Sequence, residues 1–271
     1  MERLLVQTRA SDKDPALADQ RIGQLSFADY FKANGIKILK EELIASCHGN
    51  TAYSLSAAEG MQKLADEGHK VVSIQSGGLY FARPSLEAAQ APTVPIISVP
   101  LGGIDAFLAV NLPAGHAAIG GVAPGNYRTA AHVAKAMFSE IDGVYIWGLQ
   151  SSALEKKLKE LDVPVFNRNY SANPGFANGL LVGEVALADL KKFDKSCIIG
   201  VYSCNGEPSA HMKAAAELEN SVYTRGAENV AILAAKIIAA RRSETAEALK
   251  KMRADKAATY KEPKMTLEAF A

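Results

Sequence analysis

The chain of 271 residues carries 30 basic and 29 acidic side chains, so its formal net charge at pH 7 is +1. A charge this small creates no long-range field that would attract nucleic acid or an acidic membrane surface. Charged residues also stand too near the amino terminus for a signal peptide, and no apolar run approaches the roughly 20 residues that span a bilayer. We expect a cytoplasmic protein that binds neither nucleic acid nor membrane.

The cysteines and histidines give no sign of a metal or disulfide framework. Cys47, Cys197 and Cys204 have no CxxC spacing, which favours reduced thiols. The sequence has no paired histidine motif and no nucleotide-binding glycine loop of the GxGxxG or Walker type. It therefore predicts no metal and no cofactor.

Short apolar runs alternate with helical patterns, which predicts a three-layer α/β/α, doubly wound parallel sheet. In such a sheet, ligands bind at the carboxyl ends of the strands, where the strand order reverses. The predicted strands are residues 3–8, one within 36–46, 70–75, 95–99, 117–121, 144–147, 164–166, 180–182 and 197–202. The predicted helices are residues 12–33, 55–67, one after Pro84, 105–110, 127–138, 153–161, 228–241 and a charged helix ending near 260.

The loop after the first predicted strand combines a cation, a hydroxyl and a helix start. Arg9, Ser11 and Asp12 stand there, and this combination is typical of an anion site. Capping of the next helix by Ser11 or Asp12 explains the same residues without a ligand. The two roles are compatible.

The loop after the second predicted strand contains Ser46, Cys47 and His48. A histidine at a strand's carboxyl end is suited to proton transfer near neutral pH, and the alternative is an ordinary surface histidine. Adjacent strand residues point to opposite faces, so we do not expect Cys47 and His48 to form a pair.

The loop after the third predicted strand is rich in glycine and aromatic residues. Gly77 and Gly78 permit close approach of a ligand to the backbone. Tyr80 and Phe81 can stack on a flat ring, and Arg83 can bind a phosphate or carboxylate. A glycine pair alone is equally typical of a turn.

The order of these segments resembles the PurE family, whose members carboxylate aminoimidazole ribonucleotide (AIR) or move its carboxyl group. Ser11-Asp12 matches the end of the family's Gly-Ser-x-Ser-Asp loop, and Ser46-Cys47-His48 is similar to its Ser-Ala-His. Gly77-Gly78 begins a loop similar to Gly-Gly-Ala-Ala-His-Leu-Pro-Gly. Further similar segments are residues 95–100, 105–108, 112–115 and 226–235.

The resemblance implies a nucleotide substrate, with CO2 or bicarbonate as the second reactant. His48 would be the general acid or base, with Asp12 assigned to the same catalytic set. Carboxylation at a ring carbon needs proton transfer and a dry pocket, which agrees with these roles. The residues assigned to substrate binding are Arg9, Ser11, Ser46, Gly77, Gly78, Tyr80, Phe81 and Arg83.

Two departures from the family leave other functions open. Gly49 stands where the family has an arginine, and Phe81 stands where it has a second histidine. One alternative is a diverged carboxylase or decarboxylase of another heteroaromatic nucleotide or acid. Another is a non-catalytic nucleotide-binding homologue, because a fold does not determine a function.

The resemblance also predicts the domain organisation and assembly. Residues 1–138 and 223–271 are assigned to a PurE-like core, and residues 139–222 to an inserted α/β segment that extends the sheet or covers one face. Residues 118–121 with Asn126 also resemble the family's last strand and helix start, consistent with two copies of this unit. The expected assembly is a homo-octamer in which residues 243–261, with an apolar stripe at Ala246, Leu249 and Met252, reach a neighbour. The insertion can equally leave a dimer or tetramer.

Overall fold

A computed structural model describes residues 1–9, 27–41, 51–77, 87–100, 117–148, 152–170, 179–204 and 207–259. Strands and helices alternate along these ranges, which confirms the α/β class. The strands are β1 (Arg3–Arg9), β2 (Lys37–Glu41), β3 (Lys70–Gly77), β4 (Ile96–Pro100), β5 (Gly120–Gly121), β6 (Gly143–Trp147), β7 (Val165–Tyr170), β8 (Gly179–Glu184), β9 (Gly200–Ser203) and β10 (Ser221–Tyr223).

The helices lie between these strands and at the carboxyl terminus. They are α1 (Ala28–Ala33), α2 (Thr51–Asp66), α3 (Tyr127–Met137), α4 (Ser152–Glu160), α5 (Leu190–Lys195), α6 (Pro208–Ala215), α7 (Gly226–Ala239) and α8 (Ser243–Ala258). Residues 87–90 are also helical. Within the described ranges, no helix is both long and apolar enough to cross a membrane.

The strands of the described ranges form one ten-stranded sheet in the order β2-β1-β3-β4-β5-β10-β9-β8-β6-β7. Every neighbouring pair is parallel except β5 and β10, which are antiparallel at Gly121 and Tyr223. The prediction of a parallel sheet is therefore wrong at this one junction. β5 ends one series of parallel strands, β10 ends another, and the strands of the two series run in opposite directions.

The two sides of this junction repeat the same topology. The first strand set (β1–β5) has the order β2-β1-β3-β4-β5, and the second strand set (β6–β10) has the equivalent order β7-β6-β8-β9-β10. In each set a glycine with positive φ stands at the start of the helix after the last strand: Gly125, at 69°, precedes α3 by two residues, and Gly226, at 73°, is the first residue of α7. Residues 139–222 supply β6 to β9 of the sheet, and their assignment as an insertion stays a prediction.

Apolar side chains are buried on both faces of the sheet. On β1, Leu5 belongs to a core that includes α3, α4 and α7, whereas Leu4 and Val6 pack with Ala58 and Met61 of α2. This alternation follows from the period of two along a strand. α7 is buried along almost its whole length, as expected of a helix that is apolar on all sides.

The apolar stripe of α8 packs within its own chain. Leu249 is fully buried, and Ala246 and Met252 are partly buried against the same core. Arg253, on the same helix, donates from Nε to the carbonyl oxygen of Ala89 at 3.0 Å. The stripe therefore packs against the core that includes α7, and the prediction that residues 243–261 reach a neighbouring subunit stays a prediction.

Gly200 is expected to be intolerant of a side chain. A Cβ at this position would lie 2.6 Å from Phe193 Cε1 and 2.7 Å from Ser221 Oγ, and Phe193 is fully buried. We predict that Gly200→Ala lowers the free energy of unfolding by about 1–3 kcal/mol, the usual cost of overpacking. Urea unfolding followed by circular dichroism measures this change.

Gly60 provides the matched control. It lies in the interior of α2, and a Cβ there meets nothing within 4 Å. Gly60→Ala should therefore raise the free energy of unfolding by about 0.5–1 kcal/mol. Equal effects of the two substitutions would contradict the packing described around Gly200.

Candidate functional site

The carboxyl ends of β1 to β4 lie side by side at one end of the first strand set. Thr8 is in register with Glu41 on one side and with Gln75 on the other, and Gln75 is in register with Ser98. From β1 the chain continues to β2 on one side and then to β3 on the other. The strand order therefore reverses between β1 and β3, which is where sheets of this kind bind ligands.

Two of the predicted site residues are at this reversal. Arg9 is the last residue of β1 and is in register with Ser76, while Gly77 is the last residue of β3 and is in register with Pro100. The structure thus places the starting points of the first and third predicted loops close together. The predicted site residues outside the described ranges are Ser11, Asp12, Ser46, His48, Gly78, Tyr80, Phe81 and Arg83.

A set of buried polar side chains lies close to the reversal, and we call it the polar floor. It consists of Ser73, Gln75, Glu87 and Ser98, whose exposed fractions are 0%, 4%, 0% and 6%. Ser73 and Gln75 point to the same face of the sheet because they are two residues apart on β3. The side-chain Nε2 of Gln75 donates a hydrogen bond to Glu87 Oε2, at the start of the helical residues 87–90.

The polar floor contains two atoms without a hydrogen-bond partner. Within the described part of the chain, Gln75 Oε1 and Ser73 Oγ are buried and unpaired. Buried polar atoms in native proteins are nearly always paired with protein, water or a ligand. This pair of atoms therefore marks the floor as a place where polar contacts are incomplete.

The loops carry a local sequence signal, whereas the polar floor was not predicted. The available signal was the alternation of polar residues at Ser73 and Gln75 within an otherwise apolar strand, repeated at Ser98. Central parallel strands are normally apolar on both faces, so this alternation was informative. The pairing with Glu87 had no local signal, since it joins two separate elements.

At the equivalent reversal in the second strand set, between β6 and β8, the described residues include a buried aromatic side chain, Trp147, at the end of β6. A Cβ at Gly183 would lie 2.9 Å from Trp147 Cβ, and the Trp147 ring packs edge-on against Phe193 at 5.6 Å between centroids. Lys192 Nζ lies 5.7 Å from the Trp147 ring centroid. Among the described residues, this second position is therefore aromatic where the first has a set of buried polar side chains.

One histidine of the second strand set is buried among aromatic rings. Nε2 of His211 lies 3.1 Å from the hydroxyl of Tyr202, and its ring meets that of Tyr223 edge-on at 4.9 Å. Burial lowers the pKa of His211, which favours the neutral ring. Within the described residues, no group of three His, Cys, Asp or Glu side chains is arranged to hold a metal ion.

No protein-family model matches the chain, and no curated protein is significantly similar to it.

Proposed function

We propose that this protein has a flavodoxin-like, three-layer α/β/α fold of the PurE type, and that it carboxylates, decarboxylates or moves a carboxyl group on an aminoimidazole ribonucleotide in the cytoplasm. The observation that carries the proposal is the parallel order β2-β1-β3-β4-β5. The ends of β1, β2 and β3 are side by side, and the loops with PurE-like residues continue from those ends. All three loops therefore begin at the same end of the sheet.

In the proposed site, Arg9, Ser11 and Ser46 bind the ribose phosphate or position the ring. Arg9 supports this role because it ends β1 at the reversal of strand order. A guanidinium is well suited to a phosphate because its donors form a planar fork. Arg83 is proposed as a second cation, in place of the arginine that the family has where this chain has Gly49.

The proposed proton carrier is His48, with Asp12 beside it in the catalytic set. A neutral imidazole removes the proton from the ring carbon as the carboxyl group is added, and the imidazolium returns it when CO2 leaves. The glycines Gly77 and Gly78 allow the ring to approach the backbone, with Tyr80 and Phe81 stacked on it. The proposed assembly is a homo-oligomer, with the octamer as the form that the resemblance implies.

A second candidate function is favoured by the polar floor. Glu87 and Gln75 form a buried carboxylate and amide pair close to the reversal, and Gln75 Oε1 is left without a partner. The second candidate is therefore a carboxylase or decarboxylase of a different heteroaromatic nucleotide or acid on the same scaffold.

The test is to mix the purified protein with AIR and bicarbonate, and separately with carboxylated AIR, while following ultraviolet absorbance. We expect interconversion that depends on protein concentration, together with binding of AIR in a calorimetric titration. A boiled sample of the same protein is the control for spontaneous decarboxylation. Neither binding nor turnover would overturn the proposal and leave the second candidate in its place.

A further inference from the structure

The Gln75 and Glu87 side chains have a defined orientation relative to each other. A carboxylate oxygen accepts hydrogen bonds, so the amide nitrogen of Gln75 must face Glu87 and its carbonyl oxygen must face elsewhere. The structure has this arrangement, since Nε2 of Gln75 bonds to Glu87 Oε2 and Oε1 is unpaired. The free acceptor is thus a consequence of the pairing rather than of an arbitrary choice of amide orientation.

An unpaired buried acceptor is costly to the free protein. Such a group gives up its hydrogen bonds to water on folding and gains none in return, and Ser73 Oγ beside it on the same strand face is also unpaired. A chain that needed only a stable core would have apolar residues here, as β3 has at Val71, Val72 and Ile74. The cost is explained if the acceptor is used by a bound molecule.

The position of Gln75 favours a ligand as that molecule. Gln75 is in register with Thr8 across the reversal between β1 and β3 and with Ser98 on β4. Four residues before Gly125, Gly121 is in register with Ser98 and through it with Gln75; four residues before Gly226, Val222 leads in the same way through Val201 to Val182. The matching residue of the second strand set is therefore the buried, apolar Val182, so the polar pair is specific to the first set. Among the described residues, the free amide acceptor therefore lies at the first of the two reversals, where the predicted loops begin, and has no counterpart at the second.

We propose that Gln75 determines specificity by accepting a hydrogen bond from an N–H group on the edge of a flat heteroaromatic ligand, such as an exocyclic amine. Glu87 is a positioning residue, which holds the amide nitrogen of Gln75 so that Oε1 stays available. This inference rests on the proposed location of the site and extends it by naming the ligand group that is recognised. It does not depend on the ring being aminoimidazole.

The test compares ligands with and without the amine. The probes are AIR, the corresponding imidazole ribonucleotide without the amino group, and two other ribonucleotide pairs that differ only in one exocyclic amine. Calorimetric titration gives the ratio of dissociation constants within each pair. In the wild-type protein we expect a preference for the amine on the order of 10-fold or more, because the alternative leaves Oε1 unpaired.

The variant Gln75→Met removes the acceptor at nearly constant side-chain volume. We expect the ratio of dissociation constants within each pair to fall close to one. If this variant does not fold, Gln75→Asn withdraws the acceptor by one methylene and should also reduce the preference. Glu87→Gln still offers Nε2 an acceptor but can also donate to Oε1, so it should lower the ratio in part. Glu87→Met removes the acceptor altogether and should lower the ratio further, and this graded response distinguishes positioning from a purely structural role.

Gln62→Met is the matched control. Its amide nitrogen donates to Asp66 at 2.9 Å and to Thr93 at 2.8 Å, and its oxygen accepts from Thr93. This glutamine is fully paired, so its replacement should lower stability and leave the ligand preference unchanged.

The possible outcomes separate this inference from the proposed function. If Gln75→Met loses the preference for AIR over the ribonucleotide without the amine, both the inference and the proposed function are supported. If AIR does not bind, but another pair shows a preference that Gln75→Met loses, the inference is supported and the proposed function is overturned. A preference that survives in Gln75→Met, or failure of every probe to bind the wild-type protein, overturns the inference.

Discussion

Replacing His48 with asparagine is expected to lower kcat for interconversion of AIR and its carboxylated form by about 10²- to 10⁴-fold, the usual contribution of a general acid or base. Asparagine can hydrogen-bond to a substrate but cannot carry a proton near neutral pH. Affinity for AIR should therefore be retained. Steady-state kinetics by ultraviolet absorbance, with calorimetric binding of AIR, measures both quantities.

His132→Asn is the control for nonspecific loss of a histidine. His132 lies on α3, where its ring stacks on that of Tyr30 at 5.8 Å between centroids. It belongs to the helical layer and not to the carboxyl ends of the strands, so kcat should stay near the wild-type value. An active His48→Asn variant would remove His48 from the mechanism and favour a non-catalytic binding protein.

Replacing Lys236 with methionine is expected to stabilise the protein, most strongly at acidic pH. Lys236 is fully buried on α7, and its Nζ donates to the carbonyl oxygen of Ala88 at 2.9 Å. Burial lowers the pKa of this ammonium group from 10.5 to about 7. Charging it inside the fold is therefore unfavourable, whereas the same lysine in the unfolded chain is charged up to its ordinary pKa.

The sign of the pH dependence follows from proton binding. Between about pH 7 and pH 10.5 the unfolded chain holds a proton on Lys236 that the folded chain lacks, so the free energy of unfolding rises with pH in this window. Below the window both states are protonated and the folded state bears the full penalty. The lowered pKa corresponds to a penalty on the order of several kcal/mol, at about 1.4 kcal/mol per unit.

Urea unfolding of wild type and Lys236→Met at pH 6, 8 and 10 tests this prediction. The variant should be the more stable protein at pH 6, and its advantage should shrink as the pH rises toward 10. Loss of the bond to Ala88 offsets about 1 kcal/mol of the gain. A variant less stable than wild type at pH 6 would show that the buried amine contributes more through its hydrogen bond than it costs through desolvation.

Lys135→Met is the matched control for this measurement. Lys135 follows Gly125 at the same distance as Lys236 follows Gly226, but its side chain is exposed and its Nζ lies 5.3 Å from the ring centroid of Tyr30. Its replacement should change stability by less than about 1 kcal/mol, since an exposed ammonium group remains hydrated.

The amino-acid sequence alone determined the α/β class and most of the elements. The β-branched runs that form β3 and β4, and the periodic apolar residues of α2 and α7, carry strong local signals. Asn34-Gly35 ends α1, and Gly68 follows α2. Both glycines have positive φ, as expected of glycine directly after a helix. Such features depend on neighbours along the chain.

The short elements of the second strand set were not predicted. α5, α6 and β10 were missed, because two turns of helix or three strand residues gain their stability from tertiary packing rather than from propensity. The predicted strand at residues 197–202 begins only at Gly200. Ile198 is 54% exposed, so the apolar character of this residue did not indicate that it pairs with a neighbouring strand.

Only the tertiary structure decided the strand order, the antiparallel contact of β5 with β10, and the meeting of Gln75 with Glu87. Each depends on groups that are distant along the chain, and local sequence carries no signal for such pairing. Lys135 and Lys236 show the same limit, because similar local sequences place one lysine in solvent and the other in the core. The difference comes from what packs around each helix, which no local pattern encodes.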